Sequence, residues 1–254
     1  MTWPFVRMLI ERDVVESTND LARELAIAGT VELPLAIRAA RQTRGRGRGA
    51  HAWWSDAGSL TFSVLLDPAA HGLRVADEPK LALATAVALI EAIAGDLPPG
   101  AAGIRWPNDV EAGGKKLAGI LPERVATPSG PRLVIGVGLN VLTRIADAPD
   151  EVRRVATSVA DLSTNPLTSE DLDRLFRAIL EQFADILGRL VRQDPALPIL
   201  WDRLDRLRGR RVRVDLGPRI VSGIGRGIDP DGALVLAGET EVFRLFGGQV
   251  FREG

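Results

Sequence analysis

Apolar positions along this chain change period several times, and each change marks an element. Leu21, Leu25 and Ala26 recur at helical spacing behind Glu16-Ser17-Thr18-Asn19-Asp20, with Gly29 as a stop, so a helix follows a first strand ending at Val14-Val15. Residues 34–40 read as a short strand, and residues 59–66 alternate and then run apolar, as a largely buried strand does. Residues 78–95 predict an alanine-rich helix packed inside the domain, and Pro98-Pro99-Gly100 breaks the chain after it. A strand at 104–110 stops at Pro107, a hairpin turn is expected at 111–114, and 115–121 returns as a strand. Residues 132–141 predict another buried strand, and 157–162 a short helix or turn. The strongest helical period runs from Leu172 through Leu175, Phe176, Ile179 and Leu180 to Leu190, with Thr168 as its N-cap and acidic residues in its first turn. A short helix is expected at 201–207. Beyond Gly209 the texture becomes short strands with glycine turns, at 212–216, 219–222, 225–228, 233–236 and 242–245, the pattern of a small β-barrel. The expected organisation is an α/β domain over residues 1–207 followed by a β-module over 208–254.

Composition narrows the functional classes. The 254 residues, 46% hydrophobic and 26% charged, suffice for one large domain with a small module. A formal net charge of -1 provides no global basic field for nucleic acid. The absence of cysteine rules out disulfides, thiolate metal sites and cysteine nucleophiles. With His51 and His71 the only histidines, a histidine-rich metal site and a histidine-based catalytic apparatus are both disfavoured. Arg7, Glu11 and Arg12 interrupt the N-terminal apolar residues, so no signal peptide is read there. The apolar run over 81–94 contains Glu91 and is too short to span a bilayer. The expectation is a soluble cytoplasmic protein.

Candidate chemistry concentrates in residues 41–54, where Arg44, Arg46 and Arg48 alternate with Gly45, Gly47 and Gly49 ahead of Trp53-Trp54. Glycine permits close backbone approach, arginine offers a planar charged fork for carboxylate and phosphate, and a tryptophan face stacks on flat groups. Taken alone, the loop fits an anion clamp and a nucleic-acid tail about equally. Ser17 and Thr18 fit helix capping, or hydroxyls offered to a ligand at a strand-to-helix junction. The expected hairpin would place Asn108 and Asp109 near Lys116, either as a functional trio or as an ordinary surface charge pair. Gly136 and Gly138 within a strand ending at Asn140 mark either a close ligand approach or tight strand packing.

Taken in order, these pieces resemble the biotin protein ligases over nearly the whole chain. The resemblance rests on Ser17-Thr18-Asn19, Gln42 with Gly45-Arg46-Gly47-Arg48 and Trp53, Trp106-Pro107-Asn108-Asp109, Lys116-Leu117-Ala118-Gly119-Ile120-Leu121 and Gly136-Val137-Gly138-Leu139-Asn140. Arg226-Gly227-Ile228-Asp229, residues 232–236 and Gly247-Gly248 resemble that family's C-terminal module. The resemblance implies a mixed α/β sheet like that of class II aminoacyl-tRNA synthetases, followed by an SH3-like barrel. With Ser17 this near the start, it implies a ligase-only form without a DNA-binding domain. The implied reaction joins biotin to Mg-ATP as biotinyl-5′-AMP and then acylates a lysine of a biotin carboxyl carrier domain.

The resemblance also implies roles for particular residues. Lys116, Arg48 and Asp109 are the catalytic candidates, Asp109 steering or deprotonating the incoming lysine or meeting a metal. Ser17, Thr18, Asn19, Gln42, Gly45, Arg46, Gly119 and Gly136 fall on the biotin side, and Arg46, Arg48, Trp53, Asn108, Lys116 and Asn140 on the nucleotide side. No residue is assigned as a metal ligand, and a homodimer, no nucleic acid and no membrane are expected. Two departures stand out: Ala50-His51 replaces the Gly-Arg common in the family, and Arg105 stands where lysine is usual. Arg44 occupies a usually small position and returns some charge to the loop. A lipoate or octanoate transferase of the same superfold, an inactive biotin-binding sensor and an Arg/Gly-loop nucleic-acid module are the alternatives.

Overall fold

The computed structural model describes residues 3–252; residues 1–2 and 253–254, the outer ends of the two expected domains, lie outside the described residues. Seven strands, β1 (Met8–Val15), β2 (Leu35–Gln42), β3 (Ser59–Leu66), β4 (Ala102–Arg105), β5 (Asp109–Ala112), β6 (Lys115–Val125) and β7 (Arg132–Asn140), form one sheet in the order β1-β2-β3-β7-β6-β5-β4. The helices are α1 (Thr18–Ala28), α2 (Leu81–Ile93), the one-turn α3 (Asp150–Arg153) and α4 (Val159–Leu162), α5 (Ser169–Val191) and α6 (Ala196–Arg203). β1 and β2 are parallel, joined through α1, and every other pair in the sheet is antiparallel.

Period-two alternation sorts the strand residues onto two unlike faces. Leu60, Phe62, Val64 and Leu66 of β3, with Leu133, Ile135, Val137 and Leu139 of β7, face the main core beneath α2 and α5. The amphipathic α5 supplies Phe176 and Leu180 to that core, whereas α2 is buried on nearly every side. On the opposite face α1 covers Leu35, Ile37, Leu65 and Val134 with Ala22 and Ala26. Farther along the same face, under the polar first turn of α1 and beyond it, the sheet carries Thr61, Ser63, Gly119, Gly136 and Gly138, paired across β3, β7 and β6. Small and polar residues there mark where the apolar face of α1 gives way to Thr18 and Asn19.

The central hairpin differs from the sequence expectation. The strand read across 104–110 is two strands, with Trp106-Pro107-Asn108 as the turn between β4 and β5. Pro107 has no N–H to give a ladder, which suits it to that turn. The next turn is Gly113-Gly114, with φ of 58° and 78°, so Glu111 and Ala112 remain on β5. The predicted start of α2 is delayed by a 3-10 segment, Val75–Lys80, that contains Pro79. α6 begins at Ala196, five residues before the expected Trp201, directly after Pro195.

The remaining strands, β8 (Arg211–Asp215), β9 (Ile220–Ile228), β10 (Leu234–Ala237), β11 (Val242–Leu245) and β12 (Gln249–Arg252), form an antiparallel sheet in the order β11-β10-β9-β8-β12. The two strands expected at 219–222 and 225–228 are the single β9, and β12 was not expected. Two buried indoles fasten this sheet to the rest of the chain: Trp106, in the turn between β4 and β5, donates from Nε1 to Gly232 O at 3.0 Å, and Trp201, on α6, from Nε1 to Asp229 O at 3.2 Å.

Asp205 lies in the connection between α6 and β8, 9% exposed, with Oδ1 accepting from Leu207 N at 2.9 Å and Oδ2 without a protein partner. Burial pushes its carboxyl up to about 6 from 3.8, despite the opposing Leu207 and Arg208 contacts. A carboxyl raised in the folded state favours folding fully below the unfolded value, and this contribution is lost as pH rises through the folded value. Asp205→Asn, which keeps an acceptor for Leu207, should therefore stabilise the chain at pH 8, by on the order of 2–3 kcal/mol, and roughly half as much at pH 5. Thermal melts at the two pH values check this; an equal or reversed effect contradicts it.

Candidate active site

A cavity of about 720 Å³ opens over the part of the sheet that α1 leaves bare. Its floor is β7 and β6, its roof the Arg/Gly loop, and its far wall the start of β12. The glycines of the floor have a steric reason. A β-carbon at Gly136 would overlap the Asn19 amide, and one at Gly138 would overlap the Trp53 ring. One at Gly119 would sit 3.2 Å from both Lys116 Nζ and Trp53 Cζ3.

The helix start forms one wall. Ser17 caps α1, its hydroxyl accepting from Asp20 N at 3.4 Å, while it also lines the cavity, so both roles read from the sequence are compatible. Gln42 Oε1 accepts from Thr18 N at 2.7 Å and from Thr18 Oγ1 at 3.1 Å. Ser63 Oγ lies 2.8 Å from Thr18 Oγ1 and 2.6 Å from Asn19 Oδ1. Asn19 Nδ2 donates to Leu121 O at 3.2 Å and to Glu123 Oε2 at 2.7 Å. Ser17, Thr18, Asn19 and Ser63 are buried, and this network, closed at one end by the Glu123 carboxylate, fixes each amide and hydroxyl in one orientation.

The Arg/Gly loop folds as a small hairpin over the cavity. Trp53 N donates to Gly45 O at 2.8 Å, Gly47 N to His51 O at 2.8 Å, and Arg46 pairs with Ala52. Gly49, at φ 64°, turns the tip, and Ala50 and His51 are exposed there. Each loop arginine has a partner within the chain. Arg44 pairs with Glu16 at 2.9 Å, Arg46 bonds Asp20 at 2.6 Å and also Glu123, and Arg48 donates to Gly248 O. Burial holds the Arg48 guanidinium below its ordinary range, with the Asp109 charge acting in the other direction. Trp53 lies on the floor with Lys116 Nζ 5.6 Å from its ring centroid, and its indole N–H is buried without a protein partner.

Lys116 and Asp109 meet across β5 and β6, Nζ to Oδ1 at 2.7 Å. A β-bulge makes this possible. The register shifts between Val110 and Glu111, so Leu117 and Ala118 both enter the core and Lys116 returns to the cavity face. Asn108 lines the cavity while its amide donates to Ile120 O at 2.9 Å, locking the turn. Asn140 and Gly45 do not line the cavity: Asn140 donates to Thr157 O at 2.9 Å, and Gly45 packs under the Trp53 backbone.

Several lining or supporting residues escaped the sequence reading. Ser63 and Glu123 share the strand parity of Thr61 and Leu121, so period-two bookkeeping would have found them. Gly248, Gln249 and Val250 wall the cavity, with Arg105 Nη2 donating to Val250 O at 3.0 Å. The C-terminal sheet thus contributes to the wall of the cavity itself. Among the described residues no three or more His, Cys, Asp or Glu side chains gather where they could hold a metal ion. Chemically, the cavity offers the charges of Arg48 and Lys116 beside a neutral hydrogen-bonding wall, an arrangement suited to an anionic ligand with a polar, uncharged end.

Known proteins share this arrangement of chain. The model of the Biotin/lipoate A/B protein ligase family matches residues 11–140, and the Biotin protein ligase C terminal domain matches residues 208–248. The chain is 36% identical over 235 residues to the biotin–[acetyl-CoA-carboxylase] ligase of Mycobacterium tuberculosis, covering 88% of this chain and 82% of that protein. It is 30% identical over 249 residues to the bifunctional ligase/repressor BirA of Bacillus spizizenii, covering 95% and 73%. Among solved structures, the biotin protein ligase from Aquifex aeolicus in complex with biotin and ATP superposes with a TM-score of 0.82 at 25% identity, covering 97% of this chain and 100% of that one. The match across the catalytic sheet, the separate match to the C-terminal module and relatives at this identity over most of their length place the chain in the biotin/lipoate A/B protein ligase family, as a biotin protein ligase.

Proposed function

We propose that this chain activates biotin with ATP and transfers it to one lysine of a biotin carboxyl carrier domain. The observation that carries the reading is the joining, in one cavity, of the Thr18–Gln42–Asn19 network with Arg48, Lys116 and Asp109. In the first step a biotin carboxylate oxygen attacks the α-phosphorus of ATP, the α–β phosphoanhydride bond breaks, and pyrophosphate leaves. In the second step the carrier's lysine amine attacks the acyl carbon, AMP leaves, and the amine proton is lost.

Bringing a carboxylate against a triphosphate needs positive charge placed beforehand. Arg48 and Lys116 supply it, Lys116 serving the phosphorus centre and Arg48 reaching from the lid. The network around Ser17, Thr18, Asn19 and Gln42 suits the neutral ureido ring, and Gly119 and Gly136 let it lie close to the sheet backbone. Trp53 and Asn108 fall on the nucleotide side, with Asn140 behind it. Asp109 serves the incoming lysine. Magnesium would enter on the triphosphate and offset its charge; one carboxylate at the cavity, Asp109, suits an ion held mainly through phosphate oxygens. The hairpin lid keeps water from the anhydride.

The same reading divides the chain into a catalytic part, 1–207, and a C-terminal module, 208–254, and places the reaction in the cytoplasm. Among the described residues no helix is long and apolar enough to cross a membrane. A homodimer through the catalytic sheet belongs to it as well, β1 being an outer strand with exposed Met8 and Val14.

Purified protein should catalyse biotin-dependent ATP–pyrophosphate exchange and label a carrier domain; lipoate and octanoate offered side by side should not substitute, and a preference for either would favour the transferase. Lys116→Ala should lower exchange by about 10²–10³-fold, the range for removing one aimed charge-stabilising group; a fall in carrier labelling with intact exchange would reassign Lys116. Arg48→Gly removes both a cavity charge and the contact to Gly248. It should let the adenylate escape, read as labelling of bystander proteins, and full carrier selectivity in that variant would refute the lid role of Arg48.

A further inference from the structure

The lid root holds two carboxylates that the proposed chemistry does not use. Asp20, in the first turn of α1, accepts from Arg46 Nη1 at 2.6 Å. Glu123, on β6, bonds Arg46 through Oε1 and accepts from Asn19 Nδ2 at 2.7 Å through Oε2. Both oxygens of Glu123 are therefore engaged, one by the lid and one by the cavity wall. The three charged side chains are between 28% and 39% exposed, so solvent screens them only in part.

Followed outward, these bonds form a continuous chain. Arg46 meets Glu123, Glu123 meets Asn19, Asn19 meets Ser63, Ser63 meets Thr18, and Thr18 meets Gln42. Its two ends, Gln42 and Arg46, lie four residues apart on the strand and loop that carry the lid. The lid root is thus fastened at two points to the wall that faces the cavity. Two carboxylates also counter the single charge of Arg46, whereas Arg48 bonds the Gly248 carbonyl and, among the described residues, forms no carboxylate ion pair, the Asp109 charge acting on it from farther off. Asp20 is placed where a helix N-terminus favours an anion, which eases the excess negative charge.

We infer that Asp20 and Glu123 are positioning residues that fasten the lid through Arg46, and that Arg46 acts as the lid's anchor while Arg48 is its cavity cation. Glu123 links the two jobs: the side chain that fixes the Asn19 amide is the one that holds the lid root. A lid fastened in this way keeps its cover over the cavity between the two half-reactions. That consequence rests on the biotin-ligase reading of the site; the fastening does not.

Hydrogen exchange on the ligand-free full chain tests the fastening without any substrate. In Glu123→Gln and in Asp20→Asn, the bonded amides of Gly47 and Trp53 should exchange about tenfold faster or more, with the core of β3 and β7 unchanged. Arg46→Gln should give the same pattern, and adding Glu123→Gln to it should change loop exchange by less than about twofold, because the two act through one contact. Loop exchange at the wild-type rate in both carboxylate variants overturns the inference, as does an additive double variant. Acceleration spread evenly through the core would show a merely structural role and overturn it too. In the active enzyme, Glu123→Gln should release the adenylate about tenfold faster, with carrier labelling still supported. Normal retention in that variant refutes the functional consequence, whereas wild-type protein that forms no adenylate from biotin and ATP refutes the proposed function and leaves the exchange result to decide the fastening.

Discussion

The 11 residues of α1 span about 16 Å, whereas the 9 residues of β7 span about 30 Å, so one helix cannot cover the face it packs on. That shortfall organises the rest of the structure. Beneath the apolar side of α1 the sheet carries Leu35, Leu65 and Val134; under its polar first turn and beyond, the same strand parity delivers Ser63, Gly136 and Gly138. Larger side chains at Gly136 and Gly138 would collide with Asn19 and Trp53. Glycine and serine instead allow Asn19 and Trp53 to come down onto the backbone, and the end of α1 turns its capping residues toward the opening.

Charge enters this cavity by two local devices. The bulge at Leu117 turns Lys116 onto the floor beside Asp109, and the glycine-hinged hairpin carries Arg48 over the opening to Gly248. Each cation is held by an acceptor, Lys116 by Asp109 on the neighbouring strand and Arg48 by the Gly248 carbonyl across the cavity. Positive charge is thus gathered at the cavity before any anion enters, which lowers the cost of holding one there. β12 completes the wall through Arg48 and Arg105, which makes the C-terminal sheet part of the site's architecture.

Much of this was legible in the sequence. The period of Leu175, Phe176, Ile179 and Leu180 marked α5, and the glycines at 136 and 138 marked a place without room for a side chain, although Asn19 and Trp53 side chains fill it and not the neighbouring strand. The motif order identified the family, and most of the chosen side chains converge on one cavity. The split of 104–110 into two strands was missed because Pro107 ends a ladder without saying where the next begins. β12 was missed because its pairing with β8 is set by chain closure at long range, where local pattern is silent. The partners of Arg46 were missed for a similar reason: Asp20 and Glu123 are 103 positions apart in sequence and meet only through the fold.

In the proposed reaction biotin and ATP are joined over the glycine floor beneath the lid. A crystal structure of this chain with biotinyl-5′-AMP measures that most directly. The acyl adenylate should lie over Gly119, Gly136 and Gly138, its phosphate within hydrogen-bonding distance of Lys116 and Arg48 and its ureido ring against Thr18 and Gln42. An adenylate bound away from that floor, or on it with Lys116 still turned to Asp109 and no contact to the phosphate, would contradict the account.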